Sequence, residues 1–339
     1  MAEPGFKALK SPADSTIFNQ TPCYNRIECF DTASIEAAYE FCRQMTSEGS
    51  KTFYFGSLFL PREKRRAMWA VYSFCRYTDD LVDKAEGAGI AALRERLAAW
   101  EENLRRSYEG LVPADSLQML AWQHAVQTYS IPAMPPLELI EGVRMDLEKN
   151  RYANFDELRL YCYRVASTVG LMASQVIGYN DACALEYAIN LGIAMQLTNI
   201  LRDVGEDLAN GRIYLPQDEM AEYGYTEAQL LRGEINQNFI RLMQFQIARA
   251  REYFAQATPG IQYLDKECRL AITLAARLYS QILDSIERNG YDVFNKRAYV
   301  STRRKLTGLA EVLLRLPFGQ KPLPVSPLLH LPEHEEADA

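Results

Sequence analysis

The chain has 339 residues, 48% hydrophobic and 24% charged, ordinary globular proportions that supply a buried core. A net charge of −7 and a pI near 5.3 exclude a general nucleic-acid binder. Seven cysteines without a C-x-x-C point to reduced thiols in the cytoplasm, and three scattered histidines, His124, His330 and His334, exclude a zinc or di-iron site.

Met1 to Asp31 has no clear period and is expected to be an irregular arm. From Ser34 the apolar spacing is helical, and the alternating β-branched runs of strands are scarce. Prolines and glycines divide the chain into expected helices near 34–48, 62–83, 90–108, 115–129, 137–150, 155–178, 181–209, 226–256, 261–289 and 298–314. Pro61 suits a first helical turn, where a missing N–H is harmless. No linker interrupts this region, so residues 32–316 read as one all-α domain. The Pro-rich, acidic tail 317–339 is expected to be flexible. No apolar stretch is long enough to span a bilayer, and the N-terminus lacks a signal or transit pattern.

Two acidic motifs stand out. In the expected helix 62–83, Tyr72, Arg76, Asp79 and Asp83 fall within about 60° of one another at ~3.6 residues per turn. Asp80 lies off that stripe, as an outer ligand or a partner to a base. In the expected helix 181–209, Gln196, Asn199, Asp203 and Asp207 span roughly 80° by the same geometry. Arg202 points elsewhere, toward a phosphate or a carboxylate. A single like-charged pair on an exposed helix costs only ~0.2–0.5 kcal/mol and proves little. In a cleft, two carboxylates ~6 Å apart repel by about 3 kcal/mol at an effective dielectric of ~20. Two such pairs therefore call for cations. Hard carboxylate oxygens suit Mg²⁺ shared with substrate phosphates, and the nearby Arg76, Arg202, Arg212, Arg297 and Lys305 suit diphosphate oxygens.

Several ordered blocks resemble the squalene/phytoene synthase family of head-to-head prenyl transferases: Ser50–Phe55, Cys75–Asp83, Gly142–Leu147 with Asn154–Leu158, Tyr161–Gly170, Gln196–Asp207 running on to Gly211–Pro216, and Lys296–Val300. The resemblance covers about residues 34–316 and implies a terpenoid-synthase bundle around a hydrophobic cavity, with the acidic motifs facing each other at its mouth. It assigns Asp79, Asp83, Asp203 and Asp207 to metal binding, supported by Asn199 and Arg202. It assigns Arg76, Arg212, Arg297 and Lys305 to diphosphate, Tyr72, Tyr161, Tyr214 and Tyr279 to the cavity, and Gln196, Val165 and Phe53 to its lining. Ser167 stands where relatives usually carry glycine, which would narrow the helix contact or the lipid channel.

The implied reaction joins two geranylgeranyl diphosphates through prephytoene diphosphate to phytoene, with Mg²⁺, or Mn²⁺ in its place. The last proton goes to diphosphate or to a tyrosine. Carbocations require a dry pocket and aromatic faces, which the apolar segments 161–178 and 185–198 and the chain's 20 Tyr and 14 Phe can supply. No G-x-G-x-x-G or βαβ unit offers NADPH a home. The competing readings are a C15-using dehydrosqualene or squalene synthase, a terpene cyclase, and a non-catalytic helical relative. Gly308–Phe318 reads either as an amphipathic membrane contact or as a core-facing last helix. Association with other carotenoid enzymes is a further expectation.

Overall fold

A computed structural model describes residues 23–84, 87, 89–301, 303–304 and 307–310. Helices α1 (Thr32–Gly49), α2 (Lys51–Ser57) and α3 (Arg62–Asp83) open the bundle. Asp31 caps α1 by accepting from the Ser34 N–H, and Ser50 ends α1 while capping α2 through Phe53 N–H. Both caps satisfy amides that have no partner inside the helix. Next come α4 (Ile90–Tyr108), α5 (Leu117–Tyr129), α6 (Met134–Glu148), α7 (Phe155–Cys162), a π-helical turn (Tyr163–Ser167) and α8 (Thr168–Ile177). The second half holds α9 (Ala184–Arg202), α10 (Val204–Ala209), α11 (Gln217–Glu222), α12 (Glu227–Leu231), α13 (Gln237–Ala257) and α14 (Arg269–Arg288).

Helix α3 packs on α1, α5 and α8, whereas α9 packs on α13, α8, α14 and the π turn. One hydrophobic cluster gathers around Phe74, Trp100 and Trp122, and a second around Tyr152, Leu197, Phe239 and Leu274. Phe59 and Val165 pack against both clusters, so Val165 lies at their seam. The core also fixes the end of α3, because Phe74 stacks on Trp122 at 4.3 Å and Trp100 Nε1 donates to Thr78 Oγ1 at 2.9 Å.

Several expected elements change. The stretch before Thr32 is not wholly irregular: a strand β1 (Tyr24–Arg26) pairs antiparallel with β2 (Leu111–Pro113). Such three-residue strands are too short to show an alternating pattern. The expected helix 155–178 contains the π turn. The expected helix 226–256 divides at Gly233, which has φ +63°, and restarts at Asn236, whose side chain accepts from Phe239 N–H. Two 3₁₀ turns replace the start of the expected helix 261–289. Residues 296–301 are irregular, so the last expected helix does not begin at 298. Residues 303–304 and 307–310 are helical, whereas residue 302, residues 305–306 with Lys305, residues 311–314 and the tail 317–339 lie outside the described residues.

The expected helix 181–209 also breaks. Asp203, at φ −104° and ψ 15°, closes α9, and α10 starts at Val204. The stripe Gln196–Asp207 is therefore carried by two helices rather than one. The cause is tertiary: Gly205 N–H donates to Val293 O, and a Cβ on Gly205 would lie 2.8 Å from that oxygen and 2.9 Å from Phe294 Cα.

Candidate active site

The first acidic motif ends α3. Asp80 is buried and takes ion pairs from Arg76 (2.8 Å) and Lys84 (2.7 Å), which makes it the partner of bases rather than an outer ligand. Asp79 and Asp83 are left on the adjoining stripe. Burial, with the charge of Asp83 next, pushes the Asp79 carboxyl up to about 8 against the opposing pull of Arg76. Asp83 is half exposed and accepts from Arg212 Nη1 at 2.9 Å.

The second motif closes α9. Asp203 accepts from Arg202 through both oxygens, with Nε at 2.9 Å, and Arg297 Nε lies 3.2 Å from the same carboxylate. Arg202 thus reaches the next residue in the chain rather than crossing the cleft. Arg297 also meets Glu206 at 3.3 Å. Burial, followed by Asp203, pushes Asp207 up to about 8.

Asp146 on α6, a position that the sequence reading did not select, stands between these walls. It accepts from Tyr161 Oη at 3.0 Å and Tyr214 Oη at 2.8 Å, while the two hydroxyls are 3.2 Å apart. Burial raises its carboxyl to about 6, partly offset by Arg212 and the tyrosine hydroxyls. Its charge also contributes to the rise at both Asp79 and Asp207. A lone aspartate in the block Gly142–Leu147 has no periodic signature, and only its place in that block could have drawn attention to it.

The remaining residues surround this centre. Tyr72 stacks on Phe53 at 5.0 Å between ring centroids, and burial pushes its hydroxyl up to about 12. A Cβ on Gly49 would come within 2.5 Å of the Tyr72 hydroxyl, so glycine makes room for that ring. Tyr279 is charge-coupled to Tyr72 from one side and to Arg202 and Asp203 from the other. Gln196 Oε1 accepts from Asn199 Nδ2 at 3.2 Å, leaving Asn199 Oδ1 buried without a donor. Ser167 is buried and its hydroxyl donates to Ile189 O at 2.8 Å.

A cation fits this arrangement on three grounds. Two carboxyls are held far above their ordinary range by crowding and burial. Asn199 offers an unused oxygen. Asp83 ends α3, where the macrodipole already disfavours negative charge by ~0.3–1 kcal/mol. Among the described residues no three His, Cys, Asp or Glu side chains form a complete metal cage, so an ion here needs ligands from a bound anion.

A pH dependence follows. Asp79 and Asp207 rise from an ordinary 3.8 to about 8, so the folded protein holds more protons than the unfolded chain between those values. Metal-free stability therefore falls as pH rises through that window, by at most about 1.4 kcal/mol per pH unit per group. Melting curves at pH 6 and pH 8 in chelator should show the lower midpoint at pH 8, and a divalent ion with inorganic diphosphate should restore it. Equal midpoints would contradict the crowding of these carboxyls.

The squalene/phytoene synthase family profile matches residues 46–304. A 15-cis-phytoene synthase of Synechococcus elongatus is 46% identical over 295 residues, covering 84% of this chain and 94% of that relative. A 15-cis-phytoene synthase of Synechocystis sp. is also 46% identical, covering 84% and 86% respectively. The crystal structure of a dehydrosqualene synthase bound to a ligand superposes with a TM-score of 0.78 at 30% identity, covering 84% of this chain and 98% of that one. Enzymes of this family are prenyltransferases that act on prenyl diphosphates with divalent metal. With the bundle, the two acidic walls and these matches in hand, the chain belongs to the squalene/phytoene synthase family.

Proposed function

We propose that the chain is a phytoene synthase: it condenses two geranylgeranyl diphosphates head to head, through prephytoene diphosphate, to phytoene, the entry to carotenoid synthesis. One observation carries the reading at the site. Arg212, which follows the second acidic motif, pairs with Asp83 at the end of the first, 129 positions away. Both acidic walls and their basic partners therefore serve one cleft. The 46% identity to phytoene synthases favours the C20 substrate.

Asp79, Asp83, Asp203, Asp207 and Asn199 would hold the metal, Mg²⁺ first and Mn²⁺ as an alternative. When bound, it supplies Lewis-acid neutralisation of the leaving diphosphate. Arg76, Arg202, Arg212 and Arg297 are engaged by carboxylates and would exchange them for diphosphate oxygens. Lys305 is assigned to the same task. Tyr72, Tyr279 and Phe53 offer aromatic faces to a passing cation, and Val165 and Gln196 help to exclude water. Two acceptors suit the final proton: the departing diphosphate, and Tyr161 or Tyr214, which would pass its own hydroxyl proton on to the Asp146 carboxylate. No reductant enters the balance, so NADPH is not required.

The test is product analysis. Purified protein with Mg²⁺ and geranylgeranyl diphosphate, without NADPH, should yield phytoene in the lipid extract. The second reading, a dehydrosqualene synthase, is favoured by the likeness to the dehydrosqualene synthase structure. Turnover of farnesyl diphosphate alone would select it. Among the described residues no helix is long and apolar enough to cross a membrane. Contact with a membrane surface, or with other carotenoid enzymes, would suit the greasy product. The segment 308–318 proposed for membrane contact lies mostly outside the described residues.

A further inference from the structure

Arg151 lies in the connection between α6 and α7, outside both acidic motifs. Its Nη1 donates to Gly211 O at 2.8 Å and to Asn150 O at 2.7 Å. Its Nη2 and Nε donate to Glu227 Oε1 at 2.7 and 3.2 Å. One guanidinium therefore ties its own connection, the turn after α10 and the first turn of α12. Arginine suits this role because its planar fork presents several donors in fixed directions, which a lysine ammonium does not.

The tied turn is the one that carries the site. Gly211 has φ +76°, a conformation that glycine adopts without strain. Arg212 follows it, with N–H donated to Asp207 O at 2.9 Å and Nη1 to Asp83. Ile213 N–H donates to Asn150 O at 3.0 Å, so Asn150 O receives both the Arg151 side chain and the turn's backbone. The neighbouring Tyr152 is fully buried and lies 5.5 Å from the Tyr161 ring and 5.6 Å from the Tyr214 ring. The segment holding Arg151 thus meets this turn on its backbone and on the tyrosines beside it.

We propose that Arg151 is a positioning residue that aims Arg212 across the cleft by fixing the Gly211 carbonyl. The proposal rests on the reading of Arg212 as a diphosphate ligand. The test combines backbone hydrogen exchange with the affinity for Mn²⁺ plus inorganic diphosphate, in wild type, Arg151→Ala, Arg151→Lys, Arg212→Ala and the double variant Arg151→Ala/Arg212→Ala. Arg151→Ala should speed exchange at the Arg212 and Ile213 amides while α13 keeps its protection. It should weaken Mn²⁺–diphosphate binding about 10–100-fold, the usual scale for a partner one shell removed. In the Arg212→Ala background the same change should add less than about twofold, because residues acting through one group are non-additive. Arg151→Lys keeps the charge and the Glu227 pair, but one ammonium does not reproduce the fork, so it should restore folding without full binding. If Arg151→Ala does not fold, Arg151→Lys carries the same comparison. Unchanged exchange at Arg212 and Ile213, or equal weakening with and without Arg212, would overturn the proposal. A wild type that holds no Mn²⁺–diphosphate overturns the functional reading instead, and the exchange data alone then decide whether Arg151 fixes the turn.

Discussion

Asp79→Asn should slow turnover of the prenyl diphosphate by about 10³-fold or more, the scale of removing a preorganised electrostatic contact to a transition state, and yet stabilise the metal-free protein at pH 8. The two effects have one cause. The Asp79 carboxyl is pushed up to about 8 by burial, by Asp83 and by Asp146, so its charge works against the fold until a cation arrives. Asparagine keeps the shape and removes the charge. It relieves the crowding and discards the metal ligand. Asp203→Asn should lose activity similarly but shift stability the other way. Asp203 already pairs with Arg202 and Arg297, and the Arg202 side chain is only 18% exposed. Weakening that charged contact should lower stability by about 2 kcal/mol. The measurements are steady-state rates with geranylgeranyl diphosphate and melting curves with and without Mg²⁺. Near-normal rates in either variant would remove that aspartate from the metal site. A metal-induced rise in the melting midpoint of Asp79→Asn equal to that of wild type would do the same for Asp79.

The opposite stability shifts expected of two chemically similar motifs show how far the sequence can be read. Helix α3 was legible almost whole, because its apolar face, Pro61 at the start and the four-residue spacing of Asp79 and Asp83 all act within one helix. The second motif looked equivalent, and its break at Asp203 was not legible, because it depends on Gly205 docking against Val293 and Phe294 far along the chain. Asp146 gave no signal for a similar reason. Its importance comes from Tyr161, Tyr214 and Arg212, which the fold brings to it from other elements. The break near Gly233 was also missed, although a glycine followed by a capping asparagine at 236 is a local stop and start signal. What sequence reading recovered was chemistry carried on one helical face. Apart from the local break at Gly233, what it missed at the site was geometry imposed by contacts between segments far apart in the chain.

Gly192→Ala tests a close approach between α9 and the π turn. A Cβ on Gly192 would lie 2.5 Å from Ser167 Cα, 2.6 Å from Ser167 N and 2.8 Å from Ala166 C. All three are backbone atoms of the π turn, so no side-chain rotation can relieve the overlap. Across the turn, a Cβ on Gly142 would meet Val165 Cγ1 at 2.7 Å and Arg164 Cβ at 2.8 Å, so the π turn is gripped between α6 and α9 and has little room to retreat. Overpacking of this kind costs about 3 kcal/mol, which in a chain of this size should lower the melting midpoint by roughly 4–5 °C. Because the turn carries Val165 and begins two residues after Tyr161, activity at a temperature well below melting should fall as well. Gly56→Ala is the control: nothing lies within 4 Å of its Cβ position in α2, and alanine should be neutral or better by about 0.5–1 kcal/mol in a helix. Ser167→Gly should not rescue Gly192→Ala, since the overlap is with the Ser167 backbone, and by itself it should cost about 1 kcal/mol through the lost bond to Ile189 O. A Gly192→Ala protein that melts with wild type, or one restored by Ser167→Gly, would mean that the π turn is not wedged as the geometry requires.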